Sequence, residues 1–436
     1  MPDQTTAIIL LLVLFGVLIV LRVSITFTLA FASLVTALYL HIPLMAIIQR
    51  MVQGVNSFSL LAIPFFIIAG EIMGQGGISR RLIEFSNLLI GRVRGGLAQV
   101  DVLASMFFGG ISGSAVADVS SIGTIMIPMM KEKGYDADYS TAVTVTSATQ
   151  GIIIPPSHNM IIYSLAAGGV SVGRLFLGGF VPGVMLGVSL MILSYIIAVK
   201  RKYPKERKYS LREAGGAVKD AVLGLLTAVI IVGGVISGIF TATESAAIAV
   251  VYAFIITFFV YREIKLRAML RILYASLKTL AMVMSLIASA SAFGYLMAYL
   301  RIPALATHAL LSITSNKVAL LLLINALLLV LGMIMDMAPL ILITTPILFP
   351  VVVGALGLSP IHFGIILMLN LGIGLCTPPV GSALFVGCAV GKISVESATK
   401  AMLPFYVVMI VVLMIITFIP DVVMFVPNLI MPQKVG

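Results

Sequence analysis

The sequence predicts an all-α polytopic membrane protein made of two copies of one unit. Three observations lead there. Of 436 residues, 61% are hydrophobic and only 10% charged, whereas a soluble domain carries roughly a quarter charged residues. Apolar runs of about 20 residues follow one another with short connections, the length of spanning helices rather than of barrel strands. Landmarks also recur at a nearly fixed offset. Pro155-Pro156 returns as Pro378-Pro379, Pro128 as Pro350, Pro182 as Pro404, Gly110 as Gly332 and Gly70 as Gly294. The interval is the same in every case to within a residue or two. A duplicated apolar chain with interrupted helices at matching positions is the pattern of inverted-repeat carriers.

The first repeat is expected over 1–212 and the second over 213–436. Spans are expected at 6–21, 24–42, 58–74, 139–168 (broken at 151–157) and 175–199. The second set is 218–239, 243–261, 271–299, 361–390 (broken at 374–381) and 401–419. The first run lacks a basic leader and an A-x-A site, so it reads as a spanning helix rather than a cleaved signal. Segment 78–94 alternates apolar and charged residues at helical spacing, as an amphipathic interfacial helix does; 302–314 is its less charged counterpart. Segments 96–130 and 317–353 are apolar but carry GGISGSAVAD and GMIMDMAP at their midpoints. Each reads as a re-entrant hairpin, with two full spans as the alternative. The run 421–436 is given no function.

The net charge of +11 comes from loops between spans, which points to membrane orientation and not to nucleic acid. If the first span runs from outside to inside, most of the 27 Lys and Arg residues fall on the cytoplasmic side. Only Arg50, Arg174, Arg301, Lys317 and Lys434 remain outside, and both termini are periplasmic. Five crossings per half then orient the halves oppositely. Two full spans in place of each hairpin would leave this asymmetry unchanged. Cys376 and Cys388 suit packing, and the four scattered histidines predict no metal cluster.

The broken helices carry the first chemistry. Two prolines remove two backbone donors and push the preceding residues out of helical geometry. Carbonyls over Gly151–Ile154 and Gly374–Thr377 thereby lose partners that membrane depth demands. Sodium, a hard cation, suits such oxygens; a plain proline kink is the simpler alternative. At the hairpin tips, Ser112 and Ser114 offer hydroxyls, or merely small side chains for packing. Asp336 stands opposite Ser114 in the second half, and a mid-membrane carboxylate needs a cation or donors. Asp118, one turn past Ser114, either caps the hairpin's second helix or approaches substrate. Asn159 is a substrate donor or a packing residue. Asp101, Glu71 and Glu244 read as interfacial or structural. Each break and tip also starts a half-helix, whose free N–H groups favour anions. These four ends converge if tips meet breaks across the pseudo-twofold axis.

At these residues the chain resembles the large membrane subunit of tripartite ATP-independent periplasmic (TRAP) transporters. The match runs through LLAIPFFIIAGEIM, GGISGSAVADVSSIGTIMIPMM, GIIIPPS, GIFTATESAAIAVVYA, MDMAP and NLGIGLCTPPVG. The resemblance implies an elevator-type sodium symporter of the bacterial inner membrane. Its substrates would be organic acids such as dicarboxylates, sialic acid or other sugar acids. It implies one sodium site from Ser112, Ser114, Gly151, Ile154 and Pro156, and another from Gly332, Asp336, Gly374, Thr377 and Pro379. It also implies a soluble periplasmic binding protein and a small four-span membrane partner, expected as a separate polypeptide because no such segment precedes residue 1. The nearest rival is a sodium-coupled dicarboxylate carrier working without a binding protein. An intramembrane enzyme would need GxSxG, HExxH or a histidine–aspartate pairing, and none is seen.

Alkaline phosphatase fused after Met431 is expected to be active, and fused after Lys205 inactive. The reverse pattern would overturn the orientation.

Overall fold

The computed structural model describes residues 3–206, 211–314 and 316–432. The basic residues Arg207, Lys208 and Lys434 lie outside the described residues. Among the described residues every regular element is helical. The first half comprises α1 (Gln4–Val20), α2 (Ile25–Tyr39), α3 (Leu44–Val55), α4 (Ala62–Gln75), α5 (Ile78–Ile90), α6 (Gly96–Ser112), α7 (Ala115–Asp118), α8 (Thr124–Glu132), α9 (Ala137–Ser147), α10 (Gln150–Ile153), α11 (His158–Ala166) and α12 (Val172–Arg201). The second comprises α13 (Leu211–Ile236), α14 (Ala242–Ile255), α15 (Leu266–Tyr299), α16 (Ile302–Ile313), α17 (Lys317–Ile334), α18 (Met337–Phe349), α19 (Pro360–Leu375), α20 (Ser382–Gly391), α21 (Val395–Phe418) and α22 (Pro420–Ile430). A π-turn over Val119–Gly123 joins α7 to α8, so the helical path is continuous from 115 to 132. Among the described residues, eight helical stretches are long and apolar enough to cross a membrane.

Aligning the two halves through their diprolines lays α5 on α16, α6 on α17, the 115–132 path on the extended α18 and α11 on α20, while elsewhere the helices are divided differently. The interval of α3 and α4 corresponds to the single 34-residue helix α15. The first copy is interrupted at Asn56-Ser57, where Asn56 ends α3 and Ser57 precedes a turn of 3₁₀-helix over Phe58–Leu61; such short polar side chains compete with helical hydrogen bonds. The spans read from sequence omit α3, because Gln49, Arg50 and Gln53 dilute its apolar run. Helix α5 is amphipathic as expected: Ile78, Leu82, Ile83 and Ser86 are buried, while Arg80 is exposed and paired with Glu84 at 3.2 Å. Arg81 lies over the Tyr261 ring at 3.7 Å and meets Glu263 at 3.3 Å, tying α5 to the chain beyond α14. Helices α17 and α18 sit where the second hairpin is expected. With the π-turn over Pro350–Ala355 that extends α18, each is of spanning length, so length alone permits both readings of that segment.

The helices sort into two clusters, each drawing on both halves. In one, α15 packs on α2, α3 and α4, and α14 packs on α4 and α13. In the other, α6, α9, α10 and α12 pack with α17, α19, α20 and α21. Helix α9 is polar yet buried from Tyr139 to Ser147. It tolerates this because Thr141 and Thr146 return their hydroxyls to Ala137 and Ala142 carbonyls at 2.8 and 2.7 Å.

Two glycine pairs hold the second cluster's backbones together. A Cβ built on Gly109 would stand 2.2 Å from Gly151 Cα, and one built on Gly374 would stand 2.5 Å from Gly332 Cα. Gly109 is offset from Gly332, and Gly151 from Gly374, by the interval that separates the two diprolines. The structural counterpart of Gly332 is therefore Gly109, one residue before the Gly110 that sequence spacing selects. Gly151→Ala is expected to destabilise the protein in detergent by roughly 1–3 kcal/mol through backbone overpacking. Gly294→Ala, with nothing within 4 Å of the added methyl, is expected to gain roughly 0.5–1 kcal/mol as a helix-interior glycine replaced by alanine. Thermal unfolding of the two variants checks both signs.

Candidate functional site

Each diproline interrupts its helix where the sequence places it. Helix α10 ends at Ile153, with Ile154 extended, and α11 begins at His158. Helix α19 ends at Leu375 and α20 begins at Ser382. Both Pro-Pro bonds are cis. Proline nitrogens cannot return a hydrogen bond to the carbonyls of Gly151, Ile152, Gly374 and Leu375.

The tip of each helix–turn–helix packs on the break of its own half. A Cβ on Gly110 would lie 3.1 Å from the Pro155 carbonyl oxygen, and one on Gly113 would lie 3.1 Å from that of Pro156. In the second half the Val380 N–H donates to the Met333 carbonyl at 3.0 Å. Side chains repeat the contact: Asn159 Nδ2 donates to the Gly113 carbonyl at 3.5 Å, and Ser382 Oγ donates to Asp336 Oδ1 at 3.4 Å. Asn159 and Ser382 are again related by the diproline interval. Contact across the halves is made by the helices beyond the turns, α18 on α11 and α7 on α20. Each tip thus packs on the break of its own half, while the helix that follows it meets the broken helix of the other half.

These elements wall a cavity of about 790 Å³. One wall is α4 and α15, with Phe66, Gly70, Glu71 and Met282; the other is the tips and breaks. The cavity therefore lies between the two helix clusters. The starts of four helical stretches reach it: Ala115 of the continuous 115–132 path, His158 of α11, Met337 of α18 and Ser382 of α20. These helix starts, together with Arg80 on the wall, give the space a positive potential.

The two residue sets expected to hold cations are each brought together. In the first, Ser112 and Ser114 line the cavity. Ser114 caps α7, its hydroxyl accepting from Ala117 N–H at 3.3 Å. Gly151, Ile154 and Pro156 lie behind, buried at the break. In the second, Gly332 and Gly374 are in backbone contact and Thr377 Oγ1 donates to the Ile373 carbonyl at 2.8 Å, keeping its lone pairs. Pro379 is exposed. Asp336 begins α18 yet makes no side-chain capping bond, and no ion pair to it is found among the described residues. Its carboxylate is open to the cavity, so the donor set fits a hard monovalent cation. The first tip is one residue longer than the second, Gly113 taking the left-handed conformation at φ 63°.

Asn159 lines the cavity, whereas Asp118 does not. The Asp118 carboxylate is 1% exposed and turned inward, beside Ser105 and Asp101, with both oxygens lacking a hydrogen-bond partner. Asp101 is buried rather than interfacial, and accepts from Thr144 Oγ1 at 2.5 Å. Glu244 closes a capping box with Thr241, a structural role as expected. Glu71, read as structural, lines the cavity and accepts from Gln75 Nε2 at 3.1 Å. Sequence reasoning missed His158, Ser382, Ser121 and Thr124 on the cavity wall. Applying the diproline interval to Asn159 would have found Ser382.

A family model described as the DctM component of the tripartite ATP-independent periplasmic transporter matches residues 12–422. The chain is 41% identical to a C4-dicarboxylate TRAP transporter large permease protein of Pseudomonas aeruginosa, over 87% of this chain and 88% of that protein. It is 39% identical to a sialic acid TRAP transporter large permease protein of Vibrio cholerae, over 87% and 89% respectively. Among solved structures it resembles MtrF of Neisseria gonorrhoeae, with a TM-score of 0.64 over 97% of both chains at 14% identity, a likeness of fold.

Asp118→Asn is expected to be neutral or to stabilise by about 1 kcal/mol, because it replaces a buried carboxyl whose oxygens have no hydrogen-bond partner among the described residues. A clear loss of thermal stability would mean that the carboxylate holds a partner.

Proposed function

Since the chain belongs to the family of DctM components of tripartite ATP-independent periplasmic transporters, a family of membrane permeases, we propose that it imports a small organic anion across the bacterial inner membrane, driven by sodium. The substrate would be a dicarboxylate, a sialic acid or another sugar acid, as the names of its relatives suggest. The observation that carries this reading is the convergence of four helix starts and Asp336 on one cavity. The helix starts suit an anion. The carboxylate and the carbonyls freed by proline suit sodium, which travels with the substrate. Ser112, Ser114, Gly151, Ile154 and Pro156 would hold one ion; Gly332, Asp336, Gly374, Thr377 and Pro379 the other. Ions at these positions neutralise Asp336 and let a carboxylate approach, which makes anion binding conditional on sodium.

The cavity's position between two helix clusters supports an elevator motion in which the cluster bearing tips and breaks slides against α4 and α15. The tips act as re-entrant gates in this scheme, and the matching helix intervals support two inverted repeats, 1–212 and 213–436. A periplasmic binding protein would deliver the substrate, and a small four-span subunit would complete the membrane part.

In proteoliposomes containing that subunit and the binding protein, uptake is expected to fall to background when potassium or choline replaces sodium. Asp336→Ala is expected to abolish sodium-dependent uptake while leaving membrane insertion intact. Unchanged uptake without sodium would reject the coupling, and full uptake without the binding protein would favour the binding-protein-independent carrier.

A further inference from the structure

The wall that faces the tips and breaks carries a carboxylate that the twofold does not repeat. Cavity contacts run along α4 from Phe66 to Gln75, through the turn at Gly77 to Arg80 of α5, and along α15 from Thr279 to Val283, one turn after Lys278. The space therefore opens toward the end where α4 passes into α5, which the distribution of basic residues makes cytoplasmic. Glu71 lies one turn before the end of α4, where an acid opposes the helix dipole instead of serving it. It accepts from Gln75 Nε2 at 3.1 Å and has no ion pair among the described residues. Gln75, Ser79 and Thr279 on the same wall are uncharged, and Arg80, at the mouth, is 3.2 Å from Glu84. The interval that relates Gly70 to Gly294 relates Glu71 to Tyr295. At the matching outer position an uncharged ring thus replaces the carboxylate, and it carries the Arg50 guanidinium over its face at 4.7 Å.

Resting on the anion-carrier reading above, we infer that Glu71 is a release residue: it faces the substrate only while the site lies at the cytoplasmic end, and it lowers the affinity for the anion there. The anion travels with the tips and breaks, whereas Glu71 stays on α4, which packs with α14 and α15 in the other cluster. A group met in one of two states shifts their balance through that differential interaction alone. Across the cavity from the helix starts that hold the anion, the carboxylate repels it, and Arg80 receives the departing charge at the mouth. No such repulsion meets the incoming anion at Tyr295. The asymmetry leaves the final gradient unchanged, because the driving ions set that; it speeds unloading.

The test is calorimetric binding of succinate, N-acetylneuraminate and gluconate to the purified full chain in saturating sodium chloride, which removes any effect of Glu71 on sodium affinity. Glu71→Gln is expected to bind whichever acid wild type takes about fivefold more tightly, the scale of two like charges facing across a partly aqueous space. Glu71→Asp, which keeps the charge, is expected to bind as wild type does. A residue that only supports the fold would weaken binding when replaced, so the direction of the change separates the two roles. In proteoliposomes with the small subunit and the binding protein, Glu71→Gln is expected to lower about fivefold the concentration of internal acid that half-inhibits sodium-driven uptake. Unchanged or weaker binding in Glu71→Gln, or equal tightening in Glu71→Asp, would overturn the inference, as would an unchanged response to internal acid. If none of the three acids binds wild type in sodium, the anion-carrier reading falls and takes this inference with it; if an acid binds wild type without regard to the charge at residue 71, only the inference falls.

Discussion

The architecture depends on one constraint: backbone carbonyls at membrane depth must have partners. Adjacent prolines withdraw the i+4 donors of the Gly151, Ile152, Gly374 and Leu375 carbonyls, of which Gly374 is met instead by Thr377 N–H at 2.9 Å. The protein brings a helix–turn–helix tip against each gap so closely that only glycine fits at the contact, Gly109 on Gly151 and Gly332 on Gly374. Much of the cavity's polarity on the side of the tips and breaks follows from that pairing, while Glu71, Gln75, Arg80 and Thr279 come from the facing wall. The tips deliver Ser112, Ser114 and Asp336, the breaks deliver Asn159 and Ser382, and the interruptions create the helix starts that face the space.

The two halves use this plan with different donors. The first tip ends in hydroxyls and contains the extra Gly113; the second ends in a carboxylate already in contact with Ser382. Equivalent backbone geometry therefore surrounds unequal charge. Similar backbone arrangements at the two tips thus hold unlike side chains, Ser112 and Ser114 at one and Asp336 at the other.

Much of this was legible from sequence, for identifiable reasons. Breaks and spans announce themselves through diprolines and long apolar runs, and the tips through small residues centred in apolar segments. Asp336 stood out because a carboxylate there requires an explanation. What stayed hidden was direction. Asp118 and Ser114 are one turn apart, yet Asp118 turns into the protein toward Ser105 while Ser114 meets the cavity, because the path along 115–132 packs on α6 and α9 from behind. His158 looked like one of four scattered histidines until the break placed it on the wall. Helix α3 was missed because its polar face makes it too weakly apolar for a span.

Helix α15 has a mechanical corollary for the surrounding lipid. Thirty-four residues rise about 51 Å, against a hydrocarbon thickness of about 30 Å. The stretch after Lys278, from Thr279 to Tyr299, rises about 32 Å at the same pitch and matches the bilayer by itself. The preceding third, with Arg271 and Lys278, then continues the same helix beyond the hydrocarbon, whereas the other half divides this length between α3 and α4. A rigid rod on one side and a jointed pair on the other means that a change in bilayer thickness would strain the two halves unequally.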